Sequence, residues 1–338
     1  MPPRVAVAIP NWNGERFLPT CLTSLRGQLF ADFEIIVVDN GSTDGSRELL
    51  AQRFPEVRVV SLGENRGVAA AFNAGVGATG AELVVLLNND TEQDPGWLAG
   101  LVRAADEHPE AGFFASKLVD FYDRRVLDGA GDGVRLSGLP YRLGHGERDR
   151  GQFDSPGYVF SACAAAAMYR RGMLEEVGPF DEDFVSYCED GDLSFRANLA
   201  GYRCLYVPEA VVYHMGSAST GGKRSAVATR LGTRNSLGLL VKNLPLSAVP
   251  HVAPFFLLGQ FARLLTAAAT GTLGAHLEGL AGAWRHLPLM LRKRAEIQKA
   301  KRIPDAEVRR LLRESSLAAA ASIARRLRDR ALGGVLAR

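Results

Sequence analysis

Apolar residues fall along the first hundred positions in two alternating rhythms. Val5 to Pro10 is a short apolar run of strand type, and Leu18, Leu22 and Leu25 then recur at helical spacing. The alternation returns three times. FEIIVVD at Phe33 to Asp39 precedes a helical stretch from Ser46 to Phe54, Val57 to Leu62 precedes Val68 to about Gly77, and Glu82 to Leu87 precedes about Pro95 to Glu107. Strands this uniformly apolar leave no wet face, so the pattern predicts an α/β fold with a parallel sheet covered by helices on both sides.

Further on the pattern weakens. Asp128 to Gly157 is rich in Gly, Arg and Asp and has no clear period, which predicts either a substrate loop or an exposed linker. Tyr158 to Tyr169 (YVFSACAAAAMY) reads as a buried strand of small residues. Phe180 to Arg203 turns from a polar loop into a helix, with Leu193, Phe195, Ala197 and Leu199 at apolar positions and a stop at Gly201. Strand-like runs follow at Tyr202 to Val207 and Val211 to His214.

Polar segments stand at the ends of all four early strands: NWNG, DNGSTDG, ENRG and NND. In a parallel sheet those ends bind ligands, although each segment alone also suits a tight turn. Gly41 and Gly67 would let backbone approach a ligand, Asp39 offers an acceptor to a base or sugar edge, and Asp90 supplies a carboxylate suited to a divalent cation. No GxGxxG follows the first strand and no GxxxxGK[ST] is present, which argues against a dinucleotide oxidoreductase and a P-loop nucleotidase. Asp190 shares a helix face with Leu193, Ser194 and Ala197 and so points toward packed structure or a cleft, as a cap or as a catalytic carboxylate; a helix N-terminus favours its ionised form. Asp192, four residues before Arg196, has the spacing of an ordinary surface pair. His214 is a lone histidine, structural or a ligand, at the end of a strand.

Composition adds a division. A chain of 338 residues, 47% hydrophobic, can bury one large core beside an appendage, and its net charge of +3 conceals a split. Residues 1–220 hold 19 Lys+Arg against 31 Asp+Glu, net −12, while residues 221–338 hold 21 against 6, net +15. Such a basic end is expected to meet an anionic surface. Four scattered cysteines without CxxC spacing fit a reduced, cytosolic setting, and the first apolar run is too brief for a signal peptide. Residues 243–262 carry no Lys, Arg, Asp or Glu, about the length of a bilayer span, but Pro245, Pro250 and Pro254 should spoil a regular helix and leave an interfacial segment. Basic helical stretches at His286 to Arg302 and Asp305 to Leu332 favour an anionic membrane surface over nucleic acid, because aromatic residues are scarce among them; a solvated appendage or oligomer contact is the alternative.

The ordered series IPNWNG, VVDNGSTDGS, ENRGVAAAFNAG, LLNNDT, FDEDFVSYCEDGDLSFRANLAGYR and YHMGSAS resembles the family-two glycosyltransferases of GT-A fold, above all the bacterial rhamnosyltransferase-like members. RNSLGLLVKNLP is similar to the same subgroup. The resemblance implies a GT-A catalytic domain at 1–220, a Rossmann-like mixed, mainly parallel sheet, with a nucleotide-binding half at about 1–117 and an acceptor half at about 118–220. A basic amphipathic helical region that associates with membrane would fill 221–338. Asp39 would bond the donor's pyrimidine, with Pro10, Asn11 and Asn13 lining that pocket, Asn65 and Arg66 near nucleoside and diphosphate, and Asn88 and Asn89 also facing the donor. Asp90 and His214 would ligate Mg2+ or Mn2+; Asn88 replaces the first acid of a DxD-type motif and removes one charge. Asp190 would be the base, with Glu189 as its substitute, and Ala162 stands where relatives often carry Gly. The implied reaction is inverting transfer of one sugar, rhamnose among the candidates, from a nucleotide-diphosphate donor to a lipid-linked or polysaccharide acceptor on the inner face of the cell membrane. Absence of QxxRW disfavours a processive synthase. A sugar-nucleotide nucleotidyltransferase and a degenerate nucleotide-binding domain remain open as rivals.

Overall fold

The computed structural model describes residues 2–216 and 225–336, with side chains to residue 328. The end of the YHMGSAS motif and the boundary at 220/221 lie outside the described residues. In chain order the first half contains Val5–Asn11 (β1), Leu18–Arg26 (α1), Phe33–Asp39 (β2), Ser46–Arg53 (α2), Arg58–Ser61 (β3), Val68–Gly77 (α3), Leu83–Leu87 (β4), Thr91–Gln93 (β5) and Trp97–Glu107 (α4). Then come Ala111–Asp120 (β6), Leu127–Ala130 (β7), Asp132–Val134 (β8), Pro140–Arg142 (β9), Gly157–Val159 (β10), Ala166–Arg170 (β11), Arg171–Val177 (α5), Glu189–Leu199 (α6) and Arg203–His214 (β12). The C-terminal region is helical: Ala226–Asn243 (α7), Val249–Ala269 (α8), Leu273–Ala300 (α9) and Asp305–Leu336 (α10).

The main sheet runs β10-β12-β6-β11-β4-β1-β2-β3, and its β3, β2, β1 and β4 are mutually parallel, as the alternating pattern predicts. Alternation inside β1 serves both faces. Val5, Val7 and Ile9 join a core with Leu18, Leu22, Leu50 and Trp97, while the small Ala8 leaves room for Phe72 and for α6 residues on the other side. The sheet is mixed because β11 enters antiparallel between β4 and β6.

Several expectations need correction. Tyr158 to Tyr169 is not one strand: β10 and β11 are separated by residues 160–165, whose backbone leaves the sheet. The aperiodic stretch from Asp128 is not an exposed linker. It carries β8 and β9, paired antiparallel, and is held by α10, where Arg325 Nε meets the buried Glu147 at 2.7 Å and Ser316 accepts from Leu136 N–H at 2.7 Å. Elements this short leave too few positions for a period to show. Gly41 and Gly67, at φ 76° and 87°, are also required by neighbouring chain, and Gly67 lines the cleft described below. A Cβ on Gly41 would lie 2.6 Å from Glu64 Cα, and one on Gly67 2.6 Å from Val185 O.

The three prolines do not spoil the apolar helix either. Pro245 precedes it, Pro250 occupies its first turn, where no intrahelical donor is needed, and Pro254 costs a single bond to the carbonyl of residue 250, so α8 runs unbroken for 21 residues. A third core joins this region to the rest: Leu239 and Leu240 of α7, Leu244 just past its end, and Val308, Leu311 and Leu312 of α10 surround Phe184, Cys188, Phe195 and Leu199.

Candidate active site

A cleft of about 390 Å³ opens at the carboxyl ends of β1 and β4. Pro10, Asn11, Asn65, Asn88, Asn89 and Asp90 reach it from the strand ends, His214 from the end of β12, and Glu189 and Asp190 from the head of α6. Asn89 Nδ2 donates to Asn11 Oδ1 at 2.8 Å, and Gly14 is required beside them, since a Cβ there would lie 2.2 Å from both side chains. Asn65 Oδ1 accepts from Gly67 N–H at 3.0 Å, which shapes its loop.

Three of the expected donor residues do not line this cleft. Asn13, at φ 51°, accepts from Thr43 N–H at 2.8 Å and pins the loop after β2. Asp39 is fully buried and accepts from Arg47 Nε at 2.6 Å and Ser42 N–H at 3.2 Å. Arg66 pairs with Glu182 at 3.1 Å.

At the cation position, His214 Nε2 lies 3.4 Å from Asp90 Oδ1 and is buried without a hydrogen bond among the described residues, while Nδ1 is 2.7 Å from Asp128 Oδ2. An Asp128 carboxylate on Nδ1–H leaves the Nε2 lone pair free for a cation beside Asp90, the arrangement that metal-ligating histidines favour. These residues fit a divalent cation such as Mg2+ or Mn2+, which Asp90 and His214 would hold, with Asn88 adding no charge. Asp128 was not foreseen. Burial works against its charge, yet Arg142, His145 and His214 more than offset this and hold it well below the usual carboxylate range. Arg142, equally unforeseen, lines the cleft, pairs with Asp128 and donates from Nη2 to Cys163 Sγ at 2.7 Å. Asp132, Cys163 and Asp190 cluster there too, but the Arg142 guanidinium already supplies the cluster's positive charge.

At the head of α6, Asp190 accepts from Gly191 N–H at 2.7 Å and from Ala164 N–H at 3.3 Å. The adjacent Glu189 is buried, and its Oε2 has no partner among the described residues. Burial and the neighbouring Asp190 push the Glu189 carboxyl up to about 8. Burial also raises Asp190, outweighing the helix N-terminus that was expected to keep it ionised, though the two N–H groups and Arg142 act in the opposite sense. Ionisation of the half-buried Asp190 disfavours that of the buried Glu189 beside it, and the two N–H donors around Asp190 favour the charge there.

Asp192 is no surface residue. It is fully buried and receives Arg196 Nε at 2.9 Å, Lys242 Nζ at 2.7 Å and Asn243 Nδ2 at 2.8 Å. Lys242 and Asn235 were also missed, but a signal was present: in RNSLGLLVKNLP they stand seven residues apart, on one helix face, around apolar Leu239.

A mixed, mainly parallel sheet with this cleft at its strand ends defines a glycosyltransferase of the GT-A class. The chain belongs to glycosyl transferase family 2, whose profile matches residues 6–178. It is 30% identical over 244 residues to the N-acetylglucosaminyl-diphospho-decaprenol L-rhamnosyltransferase of Mycobacterium tuberculosis, covering 65% of this chain and 77% of that protein. An O-antigen biosynthesis protein of Myxococcus xanthus is 30% identical over 227 residues, 64% of this chain and 18% of the larger relative. A mannosyltransferase from Pyrobaculum calidifontis, solved with GDP-Man and Mn2+, shares the fold at a TM-score of 0.54 and 21% identity, over 89% of this chain and 86% of that one.

Proposed function

We propose that this glycosyltransferase moves a single rhamnose, with inversion, from a nucleoside-diphosphate donor to a lipid-linked glycan acceptor on the inner face of the cell membrane. The observation that carries the reading is one cleft holding two unlike acidic centres: Asp90 beside an unbonded imidazole nitrogen, and Asp190 held by backbone N–H groups at a helix head. The activity of the Mycobacterium tuberculosis relative, an N-acetylglucosaminyl-diphospho-decaprenol L-rhamnosyltransferase, supports rhamnose and a lipid diphosphate acceptor.

In this mechanism the acceptor hydroxyl attacks the anomeric carbon while Asp190 takes its proton. The donor's bond to the diphosphate breaks on the opposite face, which inverts the centre. A divalent cation held by Asp90 and His214 would act as a Lewis acid on the diphosphate. Pro10, Asn11, Asn65, Asn88 and Asn89 line the donor side, Asn13 and Asp39 fix the loops behind it, and Arg66 would have to leave Glu182 to reach a phosphate.

The membrane reading rests on α8. Leu246–Ala269 has a mean hydropathy of 1.4 and is long and apolar enough to cross a membrane, with 11% of its apolar window buried. One side is nevertheless tied to the protein, through Arg263 to Ser236 and Thr233 of α7 at 2.7 and 2.9 Å, so the helix lies along the surface and offers Leu258 (67% exposed) and Phe261 (57%) outward.

A panel of uridine, thymidine and guanosine diphosphate sugars, with Mg2+ or Mn2+ and detergent-dispersed N-acetylglucosaminyl-diphospho-prenol, tests the reaction. Acceptor-dependent nucleoside diphosphate release, fastest with a rhamnosyl donor, is expected. Pyrophosphate chemistry, or binding without turnover, would sink the reading. For the membrane, the full chain should sediment with phosphatidylglycerol vesicles and the Leu258→Glu/Phe261→Glu variant should stay in solution; equal sedimentation refutes that face.

A further inference from the structure

The three residues before Cys188 form a turn that this sequence would not adopt unaided. Val185 sits at φ 63°, ψ −64°, and Ser186 N–H donates to Phe184 O at 2.7 Å, closing a γ-turn of the rare hand around a β-branched residue. Tyr187 and Cys188 follow at φ 69° each, and Glu189 then opens α6. Such conformations persist only where surrounding structure imposes them. Ser186, Tyr187 and Cys188 line the cleft, so the turn is part of the site.

The constraint comes largely from one buried amide. Asn235 Nδ2 lies 2.8 Å from the carbonyl oxygens of Phe184, Ser186 and Tyr187 alike. Its Oδ1 accepts from Arg234 Nε at 2.8 Å, which fixes the orientation of the amide, and Arg234 Nη2 donates to Asp183 O and Phe184 O. From the other side, Val185 O accepts from Val68 N–H at 2.8 Å at the head of α3, where Gly67 leaves the space. Further along the same face of α7, Lys242 and Asn243 hold Asp192.

We propose that Asn235 is a positioning residue for sugar transfer: it keeps the 185–188 turn wound and thereby sets where the head of α6 presents Asp190 to the cleft. The proposal rests on Asp190 being the base.

The test uses the full chain in the transfer assay above, with Asn235→Ala, Val185→Gly and the double variant, and with Asp190→Asn alongside. Displacing a base by a fraction of its reach costs rate more than binding, so Asn235→Ala should lower kcat roughly 30-fold while donor KM stays within about 3-fold. The acid limb of the kcat profile should also move, because the contacts of Asp190 with Ala164 N–H and Glu189 change together. Glycine adopts a positive φ readily, so Val185→Gly in the Asn235→Ala background should recover about tenfold of the lost rate. A purely structural role predicts that both the loss and the recovery of rate track the fraction of folded protein. The proposal is overturned if Asn235→Ala keeps kcat within about twofold of the parent, or if its rate loss equals its loss of folded protein and the double variant does not recover. Full activity of Asp190→Asn would instead remove the base assignment, and inactivity of Asp190→Asn beside an unimpaired Asn235→Ala would remove the positioning role alone.

Discussion

The first turn of α6 presents carboxylates to two different environments, two residues apart. Toward the cleft, Glu189 and Asp190 are both pushed up by burial, and no Lys or Arg pairs directly with either among the described residues. Toward α7, Asp192 is more deeply buried, yet Lys242 and Arg196 bring it down to about 2. Burial penalises charge in both places, so depth does not separate them. The supply of partners does. The chain brings a lysine from fifty positions downstream to the carboxylate that faces away from the cleft, and gives the cleft pair backbone donors. Asp192 can then serve only as structure, while Asp190 keeps a carboxylate that can accept a proton.

The comparison breaks most visibly at Asp190. Asp190→Asn should lower the transfer rate by roughly 10²–10⁴-fold and leave donor affinity within a few-fold, measured by initial rates and donor titration. A variant at full rate moves the base to Glu189 or elsewhere. Next in size is Lys242→Met, which leaves a buried carboxylate short of a cation and should cost about 3–5 kcal/mol in urea unfolding. The folded pKa of Asp192 is depressed below its ordinary 3.8 to about 2, so its contribution is present above 3.8 and lost as pH falls through about 2. The deficit of the variant should therefore narrow across that window. A deficit that stays constant to pH 2 would mean that Lys242 acts through packing.

The strands and helices of the first half were legible because each is long enough to show a period and ends in residues that break it. The strand-end asparagines, Asp90, His214 and the Glu189-Asp190 pair could be read as site candidates because strand ends converge in a parallel sheet. Asp128 and Arg142 were not legible: their strands are three or four residues long, and their roles come from pairing with His214 and Cys163 across long stretches of chain. Asp192 misled for a related reason. Spacing to Arg196 is local, whereas Lys242 and Asn243, which decide its burial, arrive through tertiary structure. This also changes how the C-terminal region can be examined. A truncation near residue 237 would strip α6 of these partners, so membrane binding is better tested by surface changes in α8.

The smallest expected effect lies on the cleft side and is the most discriminating. If the proton of the pair resides on Glu189, then Glu189→Gln removes little from transfer at neutral pH, because the native residue is already uncharged there. Its rate should stay within about tenfold of the parent, far above Asp190→Asn. Stability should respond with a definite sign. Glu189 is raised from an ordinary 4.5 to about 8 in the folded protein, so the parent is free of this penalty below 4.5 and loses stability progressively as pH rises toward 8. Glutamine cannot ionise, so the variant should gain on the parent across that interval in thermal unfolding, and the difference should level off above it. A flat difference between pH 4.5 and 8, together with a rate as low as that of Asp190→Asn, would exchange the roles of the two residues and leave Asp190 as the proton holder.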